Sequence, residues 1–212
     1  TFVPPSSIPP YVAMPARLPP PGHRRSDLFD TRGDRCQGPR VEPVRDVQTV
    51  TARGEPVQKL PFGVILRDTA THVDDRGTVF ELYDPRWGWS DQPLVFSYCF
   101  TIRPGIVKGW NVHKQHEDRY VLLFGEMKLV LYDDRPDSPT NGLVSEIILS
   151  QYRRQLVNVP IGVWHADQNI GASDVVVVNF PTIQYDHANP DKYPLPNNND
   201  RIPYRFEGVR GG

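Results

Sequence analysis

Gly109-Trp110-Asn111-Val112-His113-Lys114-Gln115-His116-Glu117-Asp118, closed by Gly125, and Pro160-Ile161-Gly162-Val163-Trp164-His165-Ala166-Asp167-Gln168-Asn169 decide the fold. Each stretch sits between β-rich runs, and each carries imidazole, carboxamide and carboxylate groups. Alternate strand residues point to the same face, so Asn111 and His113 share one wall. Asp118 opens the following strand and Gly125 ends it. His165 follows a Pro-x-Gly turn, which places it at the mouth of a small barrel. His116 falls in the turn between the two strands and is expected to face outward.

Outward from these stretches the chain reads as a succession of strands. Gly63–Arg67, Thr78–Tyr83, Leu94–Ile102, Ile106–His113, Arg119–Phe124, Met127–Tyr132, Val144–Leu149, Gln155–Val159 and Val175–Phe180 are rich in Val, Ile, Leu, Phe and Tyr. Turn chemistry separates them, as at Asp75-Arg76-Gly77, Arg103-Pro104-Gly105 and Asn169-Ile170-Gly171. No stretch of helical length shows 3.6-residue periodicity, and a short helix is expected only around Asn189–Lys192. Many short strands at this spacing predict an all-β sandwich or barrel over residues 59–206, with a tail at 207–212.

The opening of the chain has another texture. Ten of the 23 prolines precede residue 46, interleaved with arginines and with little apolar periodicity. Such a segment cannot offset its ordering entropy by itself. Residues 1–58 are therefore read as an extended, Pro/Arg-rich arm that packs on the barrel or on a partner subunit.

A net charge of −1 and a pI near 6.6 give no electrostatic case for nucleic acid or an anionic membrane. Apolar runs are too short to span a bilayer, and the first residues lack the pattern of a signal peptide. Cys36 and Cys99 are too few for a disulfide framework; Cys36 is expected exposed and Cys99 buried. A cytoplasmic protein is the expectation.

Two chemistries fit the paired stretches. His113, Asp118 and His165 form a two-imidazole, one-carboxylate set to which Asn111 adds a carbonyl oxygen, suited to a divalent Fe, Mn, Zn or Ni ion. Alternatively they are a metal-free hydrogen-bonded network that moves protons next to a carbonyl. In that case His113 or His165 is the base, tuned by Asp118 or Asp167, and Tyr98, Tyr120, Tyr132 and Tyr185 are candidate acids. Arg76, Arg103, Lys108 and Lys114 are candidate phosphate contacts if the barrel gathers them.

The two stretches resemble the motifs of the cupin superfamily. Gly109, Asn111-x-His113, Asp118 and Gly125 parallel the first motif; Pro160, Gly162, His165 and Asn169 match the second. Residues 62–206 resemble the dTDP-4-dehydrorhamnose 3,5-epimerase family, through Asp75-Arg76-Gly77-x-x-x-Glu81, Pro104–Trp110, Gly125–Arg135, Asp137–Thr140, Asn179–Thr182, Tyr185 and Ile202–Tyr204. The resemblance implies a cupin jelly roll, a homodimer with exchanged N-terminal segments and a nucleotide-sugar substrate contacted by Arg76 and Glu81. Lys108, Asn111 and Tyr98 would join them as substrate-binding residues. It also implies proton transfer beside a carbonyl, with no cofactor required. Asn111 stands where the family has its general-base histidine, and Asp118 where it has a lysine. The expected function is therefore epimerase-like or isomerase-like action on an NDP-4-keto-6-deoxy sugar by an altered set: His113 as relocated base, Tyr185 as acid, His165 and Asp118 in support. A metal-dependent cupin enzyme and a non-catalytic sugar-binding cupin are the alternatives.

Overall fold

A computed structural model describes residues 44–88, 91–208 and 210–211. The arm expected over residues 1–58 lies outside the described residues up to 43, as does Cys36. Residues from Val47 onward form one compact unit, and residues 47–50 at its start are exposed.

Twelve strands account for the described fold. They are β1 (Ile65–Asp68), β2 (Thr71–Asp74), β3 (Gly77–Phe80), β4 (Tyr98–Ile102), β5 (Val107–Val112), β6 (Asp118–Phe124), β7 (Glu126–Asp133), β8 (Val144–Ser150), β9 (Gln155–Val159), β10 (Val163–Asn169), β11 (Val175–Asn179) and β12 (Tyr193–Leu195). Two antiparallel five-stranded sheets, β1-β9-β6-β11-β4 and β12-β5-β10-β7-β8, face one another, and β2-β3 form a separate ribbon. This is the jelly roll the motifs imply. Where a short helix was expected, 189–192 is irregular; among the described residues the single helical piece is a 3₁₀ turn at Pro85–Trp87.

Alternation fixes what each strand buries. On β6, Asp118, Tyr120 and Leu122 point between the sheets, while Val121 and Leu123 pack outward with Leu156, Phe180, Tyr83 and Trp87. Between the sheets, Leu122, Met127, Leu129, Leu131, Ile147, Leu149, Val157 and Val177 close one end with an apolar core. Each such side chain contributes about 1.5–3 kcal/mol by leaving water. The outer face of the second sheet is covered by the C-terminal segment, whose Ile202 and Phe206 pack on Trp110, Trp164 and Ala166.

Two turns are set by close approach. Gly125 (φ 88°) joins β6 to β7, and a Cβ there would lie 3.1 Å from the backbone of Asp174 and Val175. Gly162 (φ 80°) precedes β10, against the Arg135 side chain, and donates its N–H to the His113 carbonyl at 2.9 Å. Both conformations favour glycine.

One irregularity positions the site. Against β10, His165 pairs with Asn111 but Asp167 pairs with Lys108, so β5 carries a bulge between Lys108 and Asn111. A bulge restores the phase after one extra residue. Val107, Trp110 and Val112 therefore all pack on the outer cluster, while Lys108 and Asn111 both reach the interior.

Candidate functional site

Opposite the apolar core, the barrel opens into a cavity of about 770 Å³ lined by β4, β5, β6 and β10, the loop after β5, and the segment from Pro181 to Leu195. At its floor lies Asp118, with a side chain 1% exposed. Three imidazole Nε2 atoms converge on its carboxylate: His113 at 3.1 Å, His165 at 3.4 Å and His116 at 3.6 Å. Tyr120 donates its hydroxyl to the same carboxylate at 2.9 Å, and Asn179 donates its amide at 2.7 Å. The second Asn179 N–H contact is the Tyr98 hydroxyl, 3.0 Å away.

The far nitrogens are held too. His116 Nδ1 lies 2.8 Å from Asp191 Oδ2, His113 Nδ1 lies against the Asp191 carbonyl, and His165 Nδ1 is 3.3 Å from the Val163 carbonyl. Asp191 itself is anchored by the backbone N–H groups of Lys114 and Gln115. Every Nδ1 thus faces an acceptor oxygen and every Nε2 faces the Asp118 carboxylate; a ring donates to both only as the imidazolium, and a neutral ring donates from one nitrogen.

Electrostatics divides these groups. Burial opposes charge on Asp118, but hydrogen bonds from His113 and His116 and the charge of His113 hold it well below the usual carboxylate range. Burial also opposes charge on His113, and Asp118 with Asp191 outweighs it, so its pKa is raised. His165, buried beside the His113 charge, is pushed down to about 4 and is a neutral imidazole at neutral pH. Burial and then Asp118 push the Tyr98 and Tyr120 phenols up, keeping both protonated. Burial, followed by the Asp118 charge, raises Asp167 to about 7.

His113, Asp118, His165, Asn111, Lys108, Tyr98 and Tyr185 all line the cavity. Asn111 uses its amide N–H on the Gly109 carbonyl at 3.0 Å. Tyr185 is 43% exposed and packs edge-on against His187 rather than into the Asp118 network. Arg76 and Glu81 are not brought to this cavity: Arg76 sits on the exposed β2-β3 ribbon, paired with Asp74.

Three expectations are corrected. His116 is buried rather than outward, because Asp191, distant in sequence, closes over the turn and binds its ring. Cys99 is exposed rather than buried, because β4 is an edge strand whose inward positions are taken by Tyr98 and Phe100. His165 lies within a central strand at 2% exposure, deeper than a barrel mouth. Residue spacing alone missed His116, Asp191 and Asn179. The available signal was a polar residue ending or interrupting an apolar run, as Asn179 does after Val175–Val178.

The sequence profile described as the polysaccharide biosynthesis C-terminal domain matches residues 72–193. A probable low-salt glycan biosynthesis epimerase of Haloferax volcanii is 32% identical over 142 residues, 66% of this chain and 86% of that protein. Among solved structures, a dTDP sugar isomerase from Desulfovibrio desulfuricans superposes with a TM-score of 0.66 at 22% identity, covering 72% of this chain and 97% of that one. The dTDP-4-dehydrorhamnose 3,5-epimerase of Bacillus anthracis gives 0.61 at 19% identity, covering 70% and 87%. The fold is thus the cupin-type jelly roll of the dTDP-sugar epimerases and isomerases, and the chain belongs to the polysaccharide biosynthesis C-terminal domain family.

Proposed function

We propose that this protein is an isomerase that moves protons beside the carbonyl of an NDP-4-keto-6-deoxy sugar. The observation that carries this reading is the buried Asp118 carboxylate, on which imidazoles and a phenol converge inside a sugar-sized cavity. His113, made more basic by Asp118 and Asp191, is the base in this reading: its neutral form takes the proton from the carbon next to the carbonyl on Nε2, and the imidazolium so formed donates to Asp118 beside it. Tyr98 supports the return step better than Tyr185. Its hydroxyl accepts from Asn179 and donates to nothing among the described residues, so its proton is free for a developing enolate. This chemistry requires no cofactor. The relatives named above, an epimerase and dTDP-sugar isomerases, support the same class.

Incubation with an NDP-4-keto-6-deoxy hexose in deuterium oxide is expected to place deuterium next to the carbonyl, and His113→Ala to stop it. Absence of uptake with every such sugar overturns the reading.

One observation favours a second reading. With each Nδ1 occupied by an acceptor, the His113 and His165 Nε2 atoms and an Asp118 oxygen lie within 4.8 Å of one another. That donor set fits a divalent Fe, Mn, Zn or Ni ion, with the Asp191 and Val163 carbonyls orienting the rings. An ion there would polarise a substrate oxygen. Elemental analysis of the purified protein decides between them: near-stoichiometric metal, lost in His165→Ala, supports the ion.

We also propose a homodimer with exchanged N-terminal segments, the arm wrapping the neighbouring barrel. The β2-β3 ribbon exposes Val73 (74%) and Val79 (69%) and pairs with no other strand among the described residues. A second copy covering the ribbon would bring Arg76 and Glu81 to a cavity they do not reach within one chain. Sedimentation of Val79→Asp as a monomer, against a native dimer, tests this.

A further inference from the structure

Asp167 takes no part in the Asp118 network, yet it lines the same cavity at 5% exposure. No donor reaches its carboxyl among the described residues, and its Oδ1 is shut away from solvent. A carboxyl without protein hydrogen bonds in a cavity wall is costly to the fold, and a ligand that donates to it would offset that cost. Its cross-strand partner is Lys108, which the β5 bulge turns inward. The ammonium lies 5.1 Å from the Phe100 ring centre and, among the described residues, forms neither an ion pair nor a hydrogen bond. One acceptor and one donor thus stand side by side on the two central strands, both unpaired, both on the cavity wall.

We infer that Asp167 and Lys108 form a two-point clamp that selects the sugar by reading a donor and an acceptor held close together on the ring. The group that fits is a pair of neighbouring hydroxyls or an acylamino substituent, whose N–H would meet Asp167 and whose oxygen would meet Lys108. The inference rests on the nucleotide-sugar reading of this cavity. It adds which residues choose the sugar and what chemistry they choose. Sites built around buried polar groups reject analogues lacking the matching group more sharply than apolar pockets do.

The test is equilibrium binding to the full chain of UDP-hexoses that differ at one ring carbon. Hydroxyl, acetamido and deoxy forms at C2, and the 3-deoxy form, serve as non-keto probes for calorimetry. At one position the deoxy probe is expected to bind native protein about tenfold or more weakly than its polar counterpart, the scale of one good hydrogen bond. In Asp167→Ala that difference should vanish, a non-additivity that a purely structural role would not produce. A preference for acetamido over hydroxyl that disappears in the variant identifies the acylamino source; a preference for hydroxyl identifies the diol. Asp167→Asn, nearly isosteric, guards against misfolding and should also lose the discrimination while melting no lower than native protein. Equal loss for all probes, no loss for any, or failure of every probe to bind overturns the inference. Coupling without deuterium uptake from any keto sugar would retire the isomerase reading and leave the clamp. Uptake without coupling would do the reverse.

Discussion

The two ends of the barrel interior are built by the same strands to opposite purposes. β6 supplies Leu122 to the apolar end and Asp118 to the cavity; β10 supplies Val163 to one and His165 and Asp167 to the other. The apolar end holds side chains at 0–2% exposure, such as Leu129, Leu131, Leu149 and Val157, and it stabilises the fold. The cavity end gathers ionisable groups that burial penalises, a cost that the proposed proton transfer would account for. A change at one end should therefore register in stability and at the other in turnover.

The largest effect should come from His113→Ala. It should cut deuterium uptake about 100-fold or more, the usual scale of a lost general base, with little change in the melting temperature. Next comes Leu129→Ala at the apolar end, expected to cost about 2–5 kcal/mol in denaturant unfolding as the transfer and cavity terms add. The surviving folded fraction should keep native uptake. If Leu129→Ala lowered turnover without lowering stability, the division of labour would be broken. Asp167→Asn should sharpen it: removing a desolvated carboxylate should stabilise the fold by about 1 kcal/mol at pH 8 even as sugar discrimination is lost.

The smallest effect lies outside both ends. Burial opposes charge on Asp133, but hydrogen bonds from Arg135, Ser138 and Thr140 hold its carboxyl below the usual 3.8. A depressed carboxylate contributes stability that is present above its unfolded value and lost as pH falls through the folded one. The native protein should thus lose stability below about pH 4 more steeply than Asp133→Asn, as seen in urea midpoints measured from pH 5 to pH 2.

The strands that the sequence reveals best are the long ones with one apolar face. Gln155–Val159 coincides with β9, and β5 to β8 fall within a residue or two of their predicted limits. β2 and β12 escape notice because four- and three-residue strands, exposed or proline-bearing, carry no alternation. β10 was visible only as a motif, since a buried strand reading Val-Trp-His-Ala-Asp mixes both faces with polar chemistry. Of the site, His113, Asp118 and His165 were legible from spacing. His116 and Asp191 were not, because their contact joins residues far apart in the chain and depends on how 181–195 folds back. Asp167 was visible as a residue but not as an unpaired one; hydrogen-bond vacancy has no signature in sequence.

The bulge in β5 carries a consequence for how this pocket tolerates length changes. Because one residue between Lys108 and Asn111 is surplus to alternation, deleting Gly109 would leave Val107, Trp110 and Val112 outward and Lys108 and Asn111 inward. Deleting any single residue from β10, which runs against β7 without a register shift, would invert a wall and expose the core. Among close relatives, insertions and deletions that retune the cavity should therefore concentrate at residues 109–110, where the strand can absorb them without changing which side chains face the cavity.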